Sequence, residues 1–166
     1  MEHFEGLCFR PVTADDVEML TGIMTRAFDE DSRRHLGRAG GPPGYDDGGF
    51  IRQWYLNAGA QAFKAERDGR VIGAVNVFLG PEGEAFLGNL MVDADLQDGG
   101  VGLKLWRFVE QRFPTVRVWR TETPGFSRRN HHFYVNKCGF HVVRIDHPKN
   151  LAEMSYFMEK RLPAGH

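Results

Sequence analysis

The residues best placed to act together are Leu90-Met91-Val92-Asp93-Ala94-Asp95-Leu96-Gln97-Asp98-Gly99-Gly100-Val101-Gly102-Leu103. An apolar strand-like run leads through a short acidic link into a glycine-rich turn, and an amphipathic helix begins at once. Glycines let the backbone turn sharply and bring its N–H groups up to an anion without interference from Cβ atoms. A helix start adds unpaired N–H groups and the positive end of the helix dipole. A diphosphate suits that geometry. Strand-to-helix turns also use glycine merely to turn, so this pattern alone leaves both readings open.

Two common diphosphate motifs fail on specifics. A P-loop needs GxxxxGK(S/T), and no Lys-Ser or Lys-Thr follows this turn. A dinucleotide fingerprint needs GxGxxG after the first strand of a βαβ unit, whereas Gly100-Val101-Gly102-Leu103-Lys104-Leu105 lacks the third glycine. Further on, Asn130, Phe133, Tyr134 and Lys137 recur at i, i+3, i+4 and i+7 and would share one helix face. His131 and His132 are adjacent, so on a helix they diverge, and with no HExxH or Cys/His cluster a metal is not expected.

These groups need a scaffold, and the hydrophobic pattern predicts one. Cys8 to Val12 reads as a strand. Thr13 then caps a helix with Asp15 and Asp16 in its first turn and Val17, Leu20, Met24, Ala27 and Phe28 on its buried face. The Gly-, Pro- and Asp-rich stretch 37–49 is a long loop, and Phe50, Trp54 and Tyr55 mark a short helix after it. Residues 61–67 and 70–79 form a hairpin about Asp68-Gly69, and 85–93 adds a third antiparallel strand. Helix 101–113, strand 116–120, helix 127–137 and strands 141–145 and 154–160 follow. Strand–helix–strand order requires at least one parallel pairing, so the sheet is mixed.

The 166 residues point to one domain with a sizeable core. A net charge of −1 offers no general attraction to nucleic acid or anionic membrane. The acidic start Met1 to Gly6 lacks the pattern of a secretion signal, and no apolar run approaches the ~20 residues of a membrane span. Two cysteines, Cys8 and Cys138, suit free thiols in a reducing cytoplasm.

Gln97-Asp98-Gly99-Gly100-Val101-Gly102 resembles the Q/R-x-x-G-x-G/A signature of the GNAT superfamily of N-acetyltransferases. Residues 130–140, Asn-His-His-Phe-Tyr-Val-Asn-Lys-Cys-Gly-Phe, are similar to that family's later helix with its aromatic pair and terminal Gly-Phe. Strand order fits from Cys8 to Lys160, nearly the whole chain. The resemblance implies a mixed α/β sheet of about seven strands, mostly antiparallel with one splayed parallel pair, flanked by about four helices. It implies acetyl-CoA as acyl donor, with the pyrophosphate on Gln97, Asp98, Gly99, Gly100, Val101 and Gly102. The pantetheine would run along Leu90, Met91 and Val92, and Asn130, Phe133, Tyr134 and Lys137 would face the cofactor arm.

Amide formation needs an uncharged amine and a leaving thiolate that gains a proton. A phenol with pKa ~10 beside a thiol with pKa ~8.5 can supply that proton, and the resemblance puts Tyr134 in this role. The base is less clear. Gly88 stands about where many members carry a glutamate, which leaves Glu84, Glu122 just past the parallel strand, or an ordered water. The acceptor would lie among the first two helices and their loop, among acids, arginines and an apolar wall of Phe50, Trp54 and Tyr55. The expected activity is acetyl transfer to a primary amine by direct attack, in the cytoplasm, without metal, nucleic acid or membrane, and with a homodimer left open. A non-catalytic acyl-CoA sensor and a nucleotide-binding αβ domain are the competing readings.

Overall fold

The computed structural model describes residues 1–96 and 99–163. Eight strands form one sheet in the order β1-β2-β3-β4-β5-β6-β8-β7. They are β1 (Glu2–Phe4), β2 (Leu7–Pro11), β3 (Ala60–Arg67), β4 (Arg70–Leu79), β5 (Glu84–Val92), β6 (Val118–Pro124), β7 (His141–Asp146) and β8 (Ser155–Arg161). The helices are α1 (Val17–Leu36), a π-wound turn α2 (Ile51–Tyr55), α3 (Val101–Arg112), and α4, which starts at Arg128–His131 and continues π-wound through His132–Lys137.

Every neighbouring pair is antiparallel except β5 with β6. The eighth strand, Glu2–Phe4, is one more than the pattern predicts. It folds back on β2 through Glu5-Gly6, both at positive φ. Asp68-Gly69 forms the expected hairpin turn, again with both residues at positive φ. The parallel strand lies later than 116–120. The Arg117 and Val118 amides both donate to the Gly83 carbonyl, so 116–117 close the connection and the strand runs on to Pro124. Glu122 is therefore inside β6, not past it.

The sheet separates two apolar layers. On one side Phe9, Val75, Val77, Leu87, Trp119 and Met158 pack with Leu105, Trp106, Phe108 and Val109 of α3 and with Tyr134, Cys138 and Phe140. On the other, Leu20, Ile23 and Met24 of α1 pack with Ile51 and Tyr55 of α2 and with Ala74 and Met91. α3 and α4 thus lie on one face, α1 and α2 on the other. The candidate site lies where the sheet between them opens.

Candidate active site

The opening arises from the β5–β6 ladder. Parallel pairing runs from Glu84–Val118 to Leu87–Thr121 and stops there, although β5 continues to Val92 and β6 to Pro124. The Thr121 hydroxyl closes the ladder by donating to the Leu87 carbonyl at 2.8 Å. Beyond it β5 stays paired with β4 and β6 with β8. The two strands separate.

A bulge in β5 begins at the same point. Asn76 pairs with Asn89 and Val77 with Leu87, so Gly88 is the extra residue. A Cβ on Gly88 would lie 2.9 Å from Asn76 Oδ1 and 3.0 Å from Phe78 Cε2. The place where the resemblance suggests a glutamate is therefore lined by an amide and a ring edge, and no side chain fits without displacing them.

Two buried phenols belong to the apolar layers on opposite sides of the sheet, Tyr134 on the α3 side and Tyr55 on the α1 side. Tyr134 of α4 is 7 % exposed, stacks edge-on to Phe133 at 5.2 Å, and makes no hydrogen bond through its hydroxyl among the described residues. Burial, and to a lesser degree the Cys138 thiol, pushes its pKa well above the ordinary phenol range. Tyr55 of α2 is also buried, and its hydroxyl donates to Asn89 Oδ1 at 2.6 Å. Burial raises its pKa strongly, and the Tyr134 phenol adds to the rise.

The glycine turn lies at the end of β5. Gln97 and Asp98 fall outside the described residues. Gly99 and Gly100 are exposed, and Gly100 caps α3 at φ +80°, a left-handed conformation that a side chain would strain. α3 starts at Val101, and its first-turn N–H groups have no acceptor within the helix. Gly102 is glycine for a packing reason. A Cβ there would meet the Phe133 ring at 3.2 Å and Val92 Cγ2 at 3.8 Å. Turn, strand and aromatic pair are thus one packed unit.

Asp93 anchors this unit from behind. Its buried carboxylate is held by Arg26 of α1 at 2.9 Å and Arg70 of β4 at 3.3 Å, and Arg70 also pairs with Asp95 at 2.9 Å. Burial works to raise the Asp93 pKa, but the hydrogen bonds and charges of Arg26 and Arg70 outweigh it and the carboxyl titrates lower than usual. The pattern marked Asp93 only as a strand end. The partners come from α1 and β4, too distant in sequence for a local motif.

The remaining residues divide. Leu90 and Val92 pack on the α3-side core and Met91 on the α1-side core. Asn130 Nδ2 donates to Thr123 Oγ1 at 3.1 Å, tying α4 to the diverging end of β6. Lys137 is exposed at the end of α4. From His132 the helix winds i→i+5, as in the Cys138 amide to Phe133 carbonyl bond of 3.0 Å, so the α-helical spacing that grouped Lys137 with Asn130 no longer applies. Glu122 is exposed, and its Oε1 accepts from the Ser155 hydroxyl at 2.6 Å. Glu84 pairs with Arg120 at 3.2 Å, before the strands part. A cavity of about 490 Å³ lined by Asp15, Glu18, Thr21, Asp46, Asp47 and Arg52 shares no residue with the opening and belongs to another part of the surface. No group of three His, Cys, Asp or Glu among the described residues is placed to hold a metal.

Comparison with known proteins agrees with this architecture. Residues 24–140 match the acetyltransferase (GNAT) family. The protein YrkN of Bacillus subtilis (strain 168) is 35 % identical over 96 residues, and the match takes in 57 % of this chain but only 52 % of that protein. An acetyltransferase from Thermus thermophilus superposes with a TM-score of 0.75 at 19 % identity, over 97 % of this chain and 100 % of that one. The PaiA N-acetyltransferase from Thermoplasma acidophilum, solved in complex with coenzyme A, gives 0.73 at 17 % identity over 94 % and 99 %. At these identities the structures speak for the fold, and the family match speaks for the lineage. The chain belongs to the acetyltransferase (GNAT) family.

Proposed function

We propose that the protein transfers the acetyl group of acetyl-CoA to a primary amine by direct attack at the opening between β5 and β6. The observation that carries this reading is the coincidence of four features at one place. The parallel ladder stops at Leu87–Thr121, a helix starts on Gly100, the Tyr134 hydroxyl has no hydrogen-bond partner among the described residues, and the Tyr55 hydroxyl is held on Asn89, just past the ladder's end.

Gly99, Gly100, Val101 and Gly102 would hold the pyrophosphate through backbone N–H groups, assisted by the positive end of α3. Gln97 and Asp98 complete the turn in sequence. Leu90, Met91 and Val92 would pair with the pantetheine as an added strand, and Asn130 and Phe133 would border it. Lys137 is exposed enough to meet a phosphate only at the outer end of the cofactor.

The amine nitrogen then attacks the thioester carbonyl. A C–N bond forms, the C–S bond breaks, the nitrogen loses a proton and the thiolate gains one from Tyr134, which recovers its own from solvent. An elevated pKa keeps Tyr134 protonated before each turnover. The same burial favours the neutral thiol over the thiolate placed beside it. For the amine proton, Glu122 on the open face of β6 and an ordered water are the available acceptors, since Gly88 has no side chain.

Direct attack is supported over a cysteine-bound intermediate. Cys138 is buried with its thiol pushed up to about 12 by burial, and Cys8 lies on β2, three strands from β5. A coupled thiol-release assay with a panel of primary amines tests the reading, which requires acetyl-CoA consumption dependent on an amine. Tight acetyl-CoA binding with no transfer to any amine would instead establish a sensor.

A further inference from the structure

Asn76, in the middle of β4, is 0 % exposed, and its Nδ2 donates to the Trp54 carbonyl at 3.0 Å. That contact fixes which end of the amide is which, because a carbonyl cannot donate. Its Oδ1 is left without any hydrogen-bond partner among the described residues. A buried amide oxygen with no donor is costly, and such groups in native proteins call for an explanation. This one sits against Gly88, the bulge residue where β5 parts from β6.

An aromatic strip lies beside it on the same face. Phe78 and Phe86 are cross-strand partners, and the Trp54 ring meets Phe78 edge-on at 6.4 Å. Trp54 is 39 % exposed and Phe86 36 %, so these rings are open to solvent beside the site. The charges bordering the strip are Glu84, Arg120, Glu159 and Arg161, which pair among themselves. Arg120 is engaged by both glutamates at 3.2 Å, so an incoming carboxylate would have to displace one of them.

We infer that the acceptor is an amine carried on a flat apolar or aromatic body, with the body against Trp54, Phe78 and Phe86 and an N–H donated to Asn76 Oδ1 over Gly88. This inference rests on the acetyl-transfer reading above and adds the chemical class of the acceptor. An amide oxygen can receive the N–H but cannot take its proton. Asn76 is thus a binding group and not a base. Rings around an amine also favour its cationic form on approach.

The test compares kcat/KM for 2-phenylethylamine and tryptamine with butylamine, putrescine and phenylalanine, alongside calorimetric titration with acetyl-CoA. The two aromatic amines should lead the short alkyl amine and the diamine by about tenfold or more, the size expected of one good ring contact. Phenylalanine, with its carboxylate, should fall below 2-phenylethylamine. In Trp54→Ala, a change at a partly exposed site, the ratio of aromatic to short alkyl amine should drop about tenfold. Asn76→Leu should raise KM for 2-phenylethylamine while the acetyl-CoA Kd stays at the wild-type value. Transfer that favours putrescine or butylamine, or a ratio indifferent to Trp54→Ala, overturns this inference and leaves acetyl transfer standing. No transfer to any amine overturns both.

Discussion

At the residue scale, Tyr134 and Gly88 are the decisive positions of the proposed site. Tyr134→Phe should lower kcat by about 10²-fold, at the lower end of what a positioned acid contributes, with little change in acetyl-CoA affinity. Steady-state kinetics with calorimetry separates the two quantities. Because burial holds Tyr134 above the ordinary phenol range, kcat should show no alkaline fall at about pH 10, where an unperturbed phenol is half ionised. Gly88→Ala places a Cβ 2.9 Å from Asn76 Oδ1, and overpacking of that kind costs about 1–3 kcal/mol, readable by urea denaturation. Gly88→Glu should therefore fail to restore a catalytic base, since the carboxylate cannot be seated without moving Asn76 and Phe78.

At the element scale, positioning depends on how strands and helices are tied together. Asp93 holds α1 and β4 to the approach of the glycine turn, and Asp93→Ala leaves Arg26 and Arg70 without it. That change should cost about 1.5–3 kcal/mol, the range for hydrogen bonds to a charged group, and should weaken acetyl-CoA binding without changing amine preference. His131 ties α4 to β6 and β8. Its ring stacks on Tyr156 at 4.2 Å, and Nε2 lies 3.0 Å from the Pro124 carbonyl. Burial, only partly opposed by that bond, lowers its pKa below 6.5. The unfolded chain then binds the proton more readily than the folded one. Stability contributed by neutral His131 is complete above about pH 6.5 and declines as pH falls through 6.5 toward the folded pKa. Thermal melts from pH 8 to 5 should show this decline, and His131→Phe should flatten it.

Much of this arrangement was legible in the sequence, for identifiable reasons. Asp68-Gly69 specifies its hairpin because only a few residues tolerate two successive positive φ angles. Gly99 to Gly102 announce a strand-to-helix turn by composition. Local pattern cannot reveal a bulge, which depends on the register of β4 against β5, so Gly88 reads as a missing acid and not as a fitted glycine. Nor does helical spacing foresee that α4 winds i→i+5 from His132, which takes Lys137 away from Asn130. The Asn76–Trp54 and Tyr55–Asn89 bonds join residues 22 and 34 apart, with no sequence signature at either end.

At the scale of the whole molecule, one sheet carries α3 and α4 on one face and α1 and α2 on the other, which the proposed function assigns to cofactor and acceptor respectively. No helix among the described residues is long and apolar enough to cross a membrane. We propose that the chain folds as one unit, so calorimetric unfolding should give a single transition. Acetyl-CoA at 100 times its Kd should add about 2.7 kcal/mol to native stability and raise Tm accordingly, while ATP or NAD at the same concentration should not.

The most direct measurement is a crystal structure with coenzyme A bound. The pyrophosphate should accept hydrogen bonds from the backbone amides between Gly99 and Gly102, the pantetheine should lie along Leu90 to Val92, and the sulfur should come within hydrogen-bonding reach of the Tyr134 hydroxyl. Coenzyme A bound elsewhere, or sulfur remote from Tyr134 with the β5–β6 opening empty, would contradict the account.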